Sequence, residues 1–272
     1  MNRATATAKL NLALVVGAPR PDGKHEVATV LQRLALCDRI RVEPAARLSV
    51  AGFAEDTLVS DALRRLAAEA GVAPGWEATI DKKLPVAAGL GGGSSDAATA
   101  LRLANDTLPE PLAPERLHAL AAGLGADVPF FLAQGPQLGT GDGTELTQLD
   151  LPQDYWVLLI LPDGAEKPST GSVYDAFDAR GGAEGFDGRR EALDAALARM
   201  RRARDLAALP RNDLAASPVA AELEQLGAFR ADVTGAGPVV YGLFLRRDAA
   251  VTADRALRGR GRTWLTVPAW YG

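Results

Sequence analysis

The 272-residue sequence contains one cysteine, Cys37, so an internal disulfide and a cysteine-rich metal cage are both excluded. Aromatic residues make up only 6%, yet hydrophobic residues reach 47%, which is typical of globular rather than disordered chains. No window approaches the ~20 consecutive apolar residues of a membrane helix, and no segment repeats at a fixed period. The length is near the size at which one hydrophobic core stops growing, so two lobes are at least as expected as one domain.

Positive charge is also in short supply. Asp and Glu total 34 against 30 Lys and Arg, for a net charge of −4, whereas nucleic-acid binding depends on neutralising phosphates. The basic run Arg199, Arg201, Arg202 and Arg204 is therefore interpreted as a solvated helix face. The first residues alternate like a strand and lack the pattern of a signal peptide. We expect a cytoplasmic protein that binds neither nucleic acid nor membrane.

Turn residues and hydrophobic periodicity predict the elements. Strands are predicted at residues 8–16, 25–50 with a break near Cys37-Asp38, 76–80, 156–161, 231–234, 239–245 and 263–267. Helices are predicted at residues 55–70, 94–105, 117–124, 172–177, 189–204, 219–226 and 249–257, with a loose glycine-rich loop at 181–188. Helices alternating with antiparallel strands in both halves indicate an α+β fold. A change of rhythm at 149–152 predicts domains at 1–152 and 153–272.

The segment at residues 85–105, PVAAGLGGGSSDAATALRLAN, carries the most information. Closely spaced glycines let a ligand approach the backbone, and the helix that follows has a positive N-terminus that suits a phosphate. A plain glycine turn capped by serine remains the alternative. A P-loop is excluded because no Gly-Lys-Ser/Thr ending is present, and Ser94 stands where a dinucleotide fingerprint needs glycine.

The loop lacks a lysine, so positive charge must come from elsewhere. The chain has five lysines, and Lys9 lies in an apolar strand pattern, where it is either functional or a strand-end residue on the polar face. Lys82 and Lys83 are interpreted as a solvated strand end. Two further clusters, GLGADVPFF at 123–131 and DVTGAGPVVYG at 232–242, are compatible with ordinary turns, with Asp127 capping the first.

Taken together, these segments resemble the GHMP kinase superfamily and, within it, the kinases of 4-diphosphocytidyl-2-C-methyl-D-erythritol from the non-mevalonate isoprenoid pathway. The matching segments are Ala8-Lys9-Leu10-Asn11-Leu12, Asp22-Gly23-Lys24-His25-Glu26, 85–96, 125–131 and 234–238. They extend over nearly the whole chain. The resemblance implies a two-lobed GHMP kinase fold with the active site in the cleft between the lobes, an N-terminal ATP-binding domain, and a monomer or weak homodimer.

The resemblance also implies a reaction, in which the γ-phosphoryl group of ATP passes to the 2-hydroxyl of the cytidyl diphosphate sugar alcohol. Lys9 and Asp127 would be catalytic, and Mg²⁺ would bridge the phosphates, with Ser94 or Ser95 able to touch the metal. Asn11, His25 and Tyr174 would bind the cytidine end. The ATP loop would consist of Pro85, Val86, Ala87, Ala88, Gly89, Leu90, Gly91, Gly92, Gly93, Ser94 and Ser95.

One position departs from the family pattern, because Lys24 stands where a tyrosine is usual. Its stem would cover a base or its ammonium would pair with a substrate phosphate, and we predict weaker cytidine binding than with tyrosine. Two other functions remain open: a GHMP kinase for homoserine or mevalonate, and a nucleotide-binding regulator without turnover. The DGxHE segment argues against the first, and retention of Lys9 and Asp127 argues against the second.

Overall fold

Strands and helices alternate along a computed structural model that describes residues 2–54, 58–165 and 169–269. The strands are β1 (Arg3–Pro19), β2 (His25–Pro44), β3 (Ser49–Ala51), β4 (Trp76–Asp81), β5 (Gln137–Thr140), β6 (Glu145–Gln148), β7 (Trp156–Pro162), β8 (Arg230–Val233), β9 (Val240–Phe244) and β10 (Gly261–Thr266). The helices are α1 (Leu58–Ala70), α2 (Gly92–Asn105), α3 (Pro114–Ala122), α4 (Thr170–Ala179), α5 (Phe186–Ala198), α6 (Pro218–Gln225) and α7 (Arg247–Ala256), with 3₁₀ turns at Pro129–Phe131 and Ala203–Ala208. The predicted α+β class is confirmed.

The chain divides into two compact units. Unit 1 comprises residues 1–8, 36–86 and 91–134, and unit 2 comprises residues 9–35, 87–90 and 135–272. This division differs from the single boundary predicted after residue 152, because residues 9–35 and 135–152 group with the second half of the chain. The chain passes from one unit to the other within β1, within β2, twice within the glycine loop and once before β5, between residues 134 and 135.

Unit 1 is built on two packed helices. The residues of α1 that repeat at helical spacing are buried, and α1 packs against α2. Burying Val59, Leu63 and Leu66 contributes roughly 1.5–3 kcal/mol each. The alanine-rich sequence of α2 suits this contact, since small side chains allow close helix packing. The end of β2 pairs antiparallel with β4, with Arg39 opposite Asp81, and β4 pairs parallel with β3.

Unit 2 contains a four-stranded antiparallel sheet in the order β10-β7-β9-β8. Helices α6 and α7 pack on it over an apolar cluster that includes Ile160, Leu223 and Phe244. Helix α4 buries Val173 and Phe177 against apolar residues of β1 and β2. In the same unit, the start of β2 pairs with β5, and β5 pairs with β6.

Several sequence predictions are wrong in detail. Strand β2 continues through Cys37 and Asp38, where a break was predicted. The β5–β6 hairpin was not predicted, because its Gly- and Thr-rich sequence lacks an alternating apolar pattern. Helix α5 begins inside the predicted 181–188 loop and ends at Ala198, so the four arginines at 199–204 lie beyond it, although all four are exposed. Residues 55–57, at the predicted start of α1, and Lys167 lie outside the described residues.

Candidate functional site

The middle of the glycine loop is held in unit 2 by backbone contacts. The amide of Lys9 in β1 donates to the carbonyl of Leu90 at 3.0 Å. Ala87 and Gly89 have positive φ values of 55° and 80°, so the backbone turns sharply at both positions. A Cβ on Gly89 would lie 2.6 Å from the carbonyl oxygen of Thr234, which explains why glycine is required there. The loop is therefore tied to β1 on one side and packed against the turn at residues 234–238.

The glycine turn at residues 234–238 is fixed by a buried asparagine. The side-chain amide of Asn212 donates to the carbonyls of Val233 at 2.9 Å and Gly235 at 2.7 Å. Gly235 has a φ of 58°, and a Cβ there would lie 3.3 Å from Oδ1 of Asn11 and 3.5 Å from Nζ of Lys9. The turn thus lies close to Lys9 and Asn11 of the matching segment 8–12. This contact favours a functional role for the 232–242 cluster over an ordinary turn.

In unit 1, helix α2 begins without a side-chain cap. Gly91 occupies the N-cap position with a φ of 69°, and the first backbone bond of the helix runs from the amide of Ser95 to the carbonyl of Gly91 at 2.9 Å. The amides of residues 92–94 precede this bond and have no partner within the helix. The serine-capped turn considered above is therefore wrong, and the helix start has the backbone donors and dipole that an anion needs.

Lys82 lies in a buried ion-pair cluster rather than at a solvated strand end, which corrects the sequence interpretation. Its ammonium is 2.7 Å from Oδ2 of Asp38 and 2.6 Å from Oδ2 of Asp96. The other oxygen of Asp38 accepts from the amides of Lys83 and Leu84. Asp38 and Asp96 are almost fully buried. The cluster therefore joins the segment before the glycine loop to the first turns of α2.

Burial shifts the titration of this cluster. Burial raises the pKa of Asp96 to about 7, although the hydrogen bond and charge of Lys82 oppose the shift. Burial also lowers the pKa of Lys82, but its hydrogen bonds to Asp38 and Asp96 outweigh burial and the net direction is upward. The remaining oxygen of Asp96, Oδ1, is buried and has no hydrogen-bond partner among the described residues. Asp96 therefore does more than favour the start of α2.

Lys9 is buried in unit 2, with 3% of its surface exposed, so it is not a polar-face residue at a strand end. Its ammonium donates to Oδ1 of Asn11 at 2.6 Å. The side-chain amide of Asn11 donates to the hydroxyl of Thr29 at 2.8 Å, and its backbone amide donates to the hydroxyl of Thr234 at 3.1 Å. The predicted catalytic lysine is thus embedded in a chain of buried polar groups.

The structure brings His25 and Tyr174 together, as expected for residues of one binding site. Their ring centroids are 4.5 Å apart, and Nε2 of His25 is 2.9 Å from a carboxylate oxygen of Asp178. Phe177 lies edge-on to His25 at 6.1 Å. Asn11, which is also expected to bind the cytidine end, has side-chain contacts with Lys9, Thr29 and Thr234.

Lys24 is held by an acidic side chain of the β5–β6 turn. Its ammonium lies 2.5 Å from Oδ2 of Asp142, whose other oxygen accepts from the backbone and hydroxyl of Thr144. Burial raises the pKa of Asp142, but the bonds from Lys24 and Thr144 outweigh it and lower that pKa to about 2. The Lys24 side chain is half exposed, so it remains accessible to a ligand.

Asp127 lies in unit 1, in the turn between α3 and the 3₁₀ helix Pro129–Phe131. The N-cap position of that 3₁₀ helix is taken by Val128, the residue after Asp127. Phe130 and Phe131 are buried edge to face, and their helix packs on α2, which anchors the half-buried Asp127. His118, expected to be solvated, is half-buried.

Sequence reasoning missed three polar residues of these networks: Thr29, Asp38 and Asp142. Asp38 had a detectable signal, since an acidic residue inside an apolar alternation is a candidate buried carboxylate. The others had none, because a threonine in a strand and an aspartate in a glycine turn are common. Among residues 2–54, 58–165 and 169–269, no group of three or more His, Cys, Asp or Glu is spaced to hold a metal ion. Within the same ranges, no helix has the length and apolar character to span a bilayer.

Comparisons with known proteins show which family the chain resembles. The models for the GHMP kinases N terminal domain and the GHMP kinases C terminal match residues 57–135 and 190–263. A 4-diphosphocytidyl-2-C-methyl-D-erythritol kinase of Nocardia farcinica is 40% identical over 94% of this chain and 89% of its own length. The enzyme of the same name from Geobacter sulfurreducens is 36% identical, with 94% of each chain covered.

Solved structures agree with this assignment. A crystal structure of 4-(cytidine 5'-diphospho)-2C-methyl-D-erythritol kinase aligns with a TM-score of 0.79 at 31% identity, over 99% of this chain and 100% of its own. The mevalonate kinase of Methanococcus jannaschii aligns with a TM-score of 0.76 at 12% identity, covering 98% of both chains, and shares the fold alone. The chain therefore belongs to the GHMP kinases and, among them, to the 4-diphosphocytidyl-2-C-methyl-D-erythritol kinase family.

Proposed function

We propose that this protein transfers the γ-phosphoryl group of ATP to the 2-hydroxyl of 4-diphosphocytidyl-2-C-methyl-D-erythritol, in the non-mevalonate route to isoprenoid precursors. The observation that carries the proposal is the identity of 36–40% to kinases of that name across 94% of this chain. The neighbouring His25 and Tyr174 rings, tilted by 33° with centroids 4.5 Å apart, add support, since aromatic and imidazole faces are surfaces on which a nucleobase can stack.

The phosphate donor would bind the glycine loop and the start of α2. The amides of residues 92–94 and the positive end of the helix would hold the ATP phosphates. Mg²⁺, when bound, neutralises charge on the phosphates, and it commonly takes one or two protein ligands besides phosphate and water. The hydroxyls of Ser94 and Ser95 in the first turn of α2 are suitable oxygen donors, so we propose them as the residues that would hold it.

Lys9 and Asp127 would carry the chemistry. Phosphoryl transfer passes through a loose transition state, so the protein contributes mainly by positioning groups and stabilising charge. We propose that the Asp127 carboxylate accepts the proton of the attacking 2-hydroxyl, while the Lys9 ammonium stabilises the negative charge that develops on that oxygen. Burial strengthens the interaction of the Lys9 ammonium with a reacting anion, because less water screens it.

The cytidine end would be bound by His25 and Tyr174, with Lys24 next to His25 in sequence. His25 is oriented by Asp178, and its ring lies 4.5 Å from that of Tyr174 with a tilt of 33°. We propose that Asn11 contributes to substrate binding next to Lys9, at the end of the substrate where the reaction occurs rather than at the base. Lys24 would contact the substrate while its ammonium stays paired with Asp142.

The direct test is a kinase assay with purified protein, ATP, Mg²⁺ and the authentic cytidyl substrate. We expect ATP consumption and a new monoester phosphate on the 2-oxygen, both detected by ³¹P NMR. Homoserine and mevalonate serve as competing alcohols, and phosphorylation of either one in preference to the cytidyl compound would contradict the proposal. ATP binding without turnover on any of the three would contradict it as well.

Two variants connect the reaction to the proposed residues. Asp127→Asn and Lys9→Ala should each lower kcat by at least about 100-fold, within the range that general base catalysis and charge stabilisation contribute. Circular dichroism should show that both variants keep the wild-type fold. His118→Gln is the matched control for a titratable side chain near Asp127 in sequence, and its kcat should stay within about twofold of wild type.

A further inference from the structure

We propose that Thr29 is a positioning residue for the phosphoryl transfer, acting through Asn11 on Lys9. This inference rests on the proposed function, because Lys9 is taken to act in that reaction. Thr29 lies on β2, 18 residues after Asn11, and belongs to none of the matching segments listed above. Lys9, Asn11 and Thr29 are each no more than 5% exposed, and all three belong to unit 2.

The hydrogen bonds form a chain with a fixed direction. The hydroxyl of Thr29 donates to the backbone carbonyl of Ala13 at 2.8 Å, and that carbonyl can only accept. The lone pairs of Thr29 are then left to accept from the Asn11 side-chain amide, at 2.8 Å. Asn11 must therefore present its NH₂ group to Thr29 and its oxygen to the Lys9 ammonium, at 2.6 Å.

The reverse orientation of the Asn11 amide is disfavoured at both ends. It would place an NH₂ group against the Lys9 ammonium, which has only donors. It would also turn the Asn11 oxygen toward a hydroxyl whose proton is already used by Ala13. Thr29 thus determines which atom of Asn11 faces Lys9, and thereby where the ammonium rests between its partners. Misplacing a catalytic group by about 1 Å can cost about 100-fold in rate.

Thr29→Val and Thr29→Ser separate this role from packing. Valine has nearly the shape of threonine but removes the hydroxyl, whereas serine keeps the hydroxyl and removes a methyl group. We expect Thr29→Val to lower kcat by about 10- to 100-fold, with the KM values for ATP and the cytidyl substrate within about threefold of wild type. Thr29→Ser should retain at least about a third of the wild-type kcat.

Thr7 provides a matched control in β1. It is buried like Thr29, and its hydroxyl has no hydrogen-bond partner among the described residues. Thr7→Val makes the same chemical change without removing a hydrogen bond, so kcat should stay within about twofold of wild type. A loss of kcat in Thr7→Val equal to that in Thr29→Val would overturn the proposal, as would wild-type kcat in Thr29→Val or equally low kcat in Thr29→Ser.

A measurement without turnover keeps the inference separate from the proposed function. The side-chain amide signals of Asn11 in ¹H–¹⁵N spectra can be assigned by their loss in Asn11→Ala. We expect slow hydrogen exchange of these protons in wild type and Thr29→Ser, and at least tenfold faster exchange in Thr29→Val, since the amide has then lost its acceptor. Unchanged exchange in Thr29→Val would reject the positioning role even if the protein proved inactive on the cytidyl substrate.

A wild-type protein that is inactive on the cytidyl substrate but shows the expected exchange pattern would reject the proposed function alone. If Thr29→Val does not fold, Thr29→Ala replaces it with the same expectations.

Discussion

The ammonium of Lys82 lies 2.6 Å from a carboxylate oxygen of Asp96, although the two residues are 14 positions apart and the glycine loop lies between them. Asp38 completes the contact from β2, and the three side chains bury two acids and one base together. Such a cluster costs desolvation when it forms, so its charges need each other. The arrangement brings the two ends of the proposed ATP loop to one ammonium group.

Removing that ammonium should therefore lower the free energy of unfolding. Lys82→Met leaves Asp38 and Asp96 buried without their shared partner, and loss of one member of a buried pair typically costs about 3–5 kcal/mol. We expect a lower midpoint in urea unfolding and a higher KM for ATP, because the loop ends are no longer tied together. Equilibrium unfolding and steady-state kinetics measure the two effects.

Lys83 is the natural control, since it is the next residue and also a lysine. It pairs with Asp81 in an exposed position, where an ion pair is screened by water and salt. Lys83→Met should leave both the urea midpoint and the KM for ATP close to wild type. If both lysine variants behave alike, the Asp38–Lys82–Asp96 cluster does not have the importance assigned to it.

The difference between Lys82 and Lys83 also shows what sequence could not predict. Two adjacent lysines after a strand look identical in a pattern of local periodicity, and both were interpreted as solvated. Burial of Lys82 depends on Asp38, 44 residues earlier, and on Asp96, 14 residues later. Only the folded chain brings these residues together, so no local rule would separate the two lysines.

Motifs with their own chemistry were more predictable. The composition of the glycine loop predicts a helix start that offers backbone donors to an anion, and α2 does begin with Gly91 at its N-cap and no cap bond from that residue's side chain. His25 and Tyr174 were expected in one site and lie together. By contrast, the β5–β6 hairpin was missed, although it carries Asp142, because a strand held mainly by backbone pairing leaves little trace in hydrophobic patterning.

Lys24 allows a test of the proposed cytidine site. Lys24→Tyr would place a ring beside His25, and a stacked base is worth about 1–3 kcal/mol. We expect the KM for the cytidyl substrate to fall by about five- to tenfold, while the KM for ATP stays unchanged. Lys24→Met is the matched control, because it breaks the pair with Asp142 without adding a ring. An unchanged or higher substrate KM in Lys24→Tyr would reject a stacking role at this position.

The Lys24–Asp142 pair also predicts a pH effect on stability. The pKa of Asp142 falls to about 2 in the folded protein, from an ordinary value of 3.8, so the folded state favours the charged carboxylate. This stabilisation is present above about pH 4 and is lost as the pH falls towards 2. Because Lys24 is half exposed, we discount the effect to about 1 kcal/mol.

Asp142→Asn measures that effect. The variant should be less stable than wild type at pH 6, and the difference should shrink as urea unfolding is repeated at pH 4, 3 and 2.5. Asp150→Asn, at an exposed position outside the strands and helices, serves as the control. A difference between wild type and Asp142→Asn that is constant over this pH range would show that the carboxylate charge does not stabilise the fold.

Gly89 should be the least replaceable glycine of the proposed ATP loop. Its φ is 80°, and a Cβ would lie 2.6 Å from the carbonyl oxygen of Thr234 and 3.0 Å from that of Gly237. Both obstacles are backbone atoms, so a side-chain rotation cannot relieve the contact. Gly89→Ala should therefore displace the loop from the 234–238 turn, raising the KM for ATP by at least about tenfold in steady-state kinetics, since small misplacements at a reacting site are costly.

Gly259→Ala separates this clash from backbone strain, because Gly259 has a similar φ of 84° with no described atom within 4 Å of its Cβ position. Its thermal stability should fall by the small cost of a left-handed alanine, with the KM for ATP unchanged; an equally unchanged KM in Gly89→Ala would mean that the loop does not depend on this contact to bind the nucleotide.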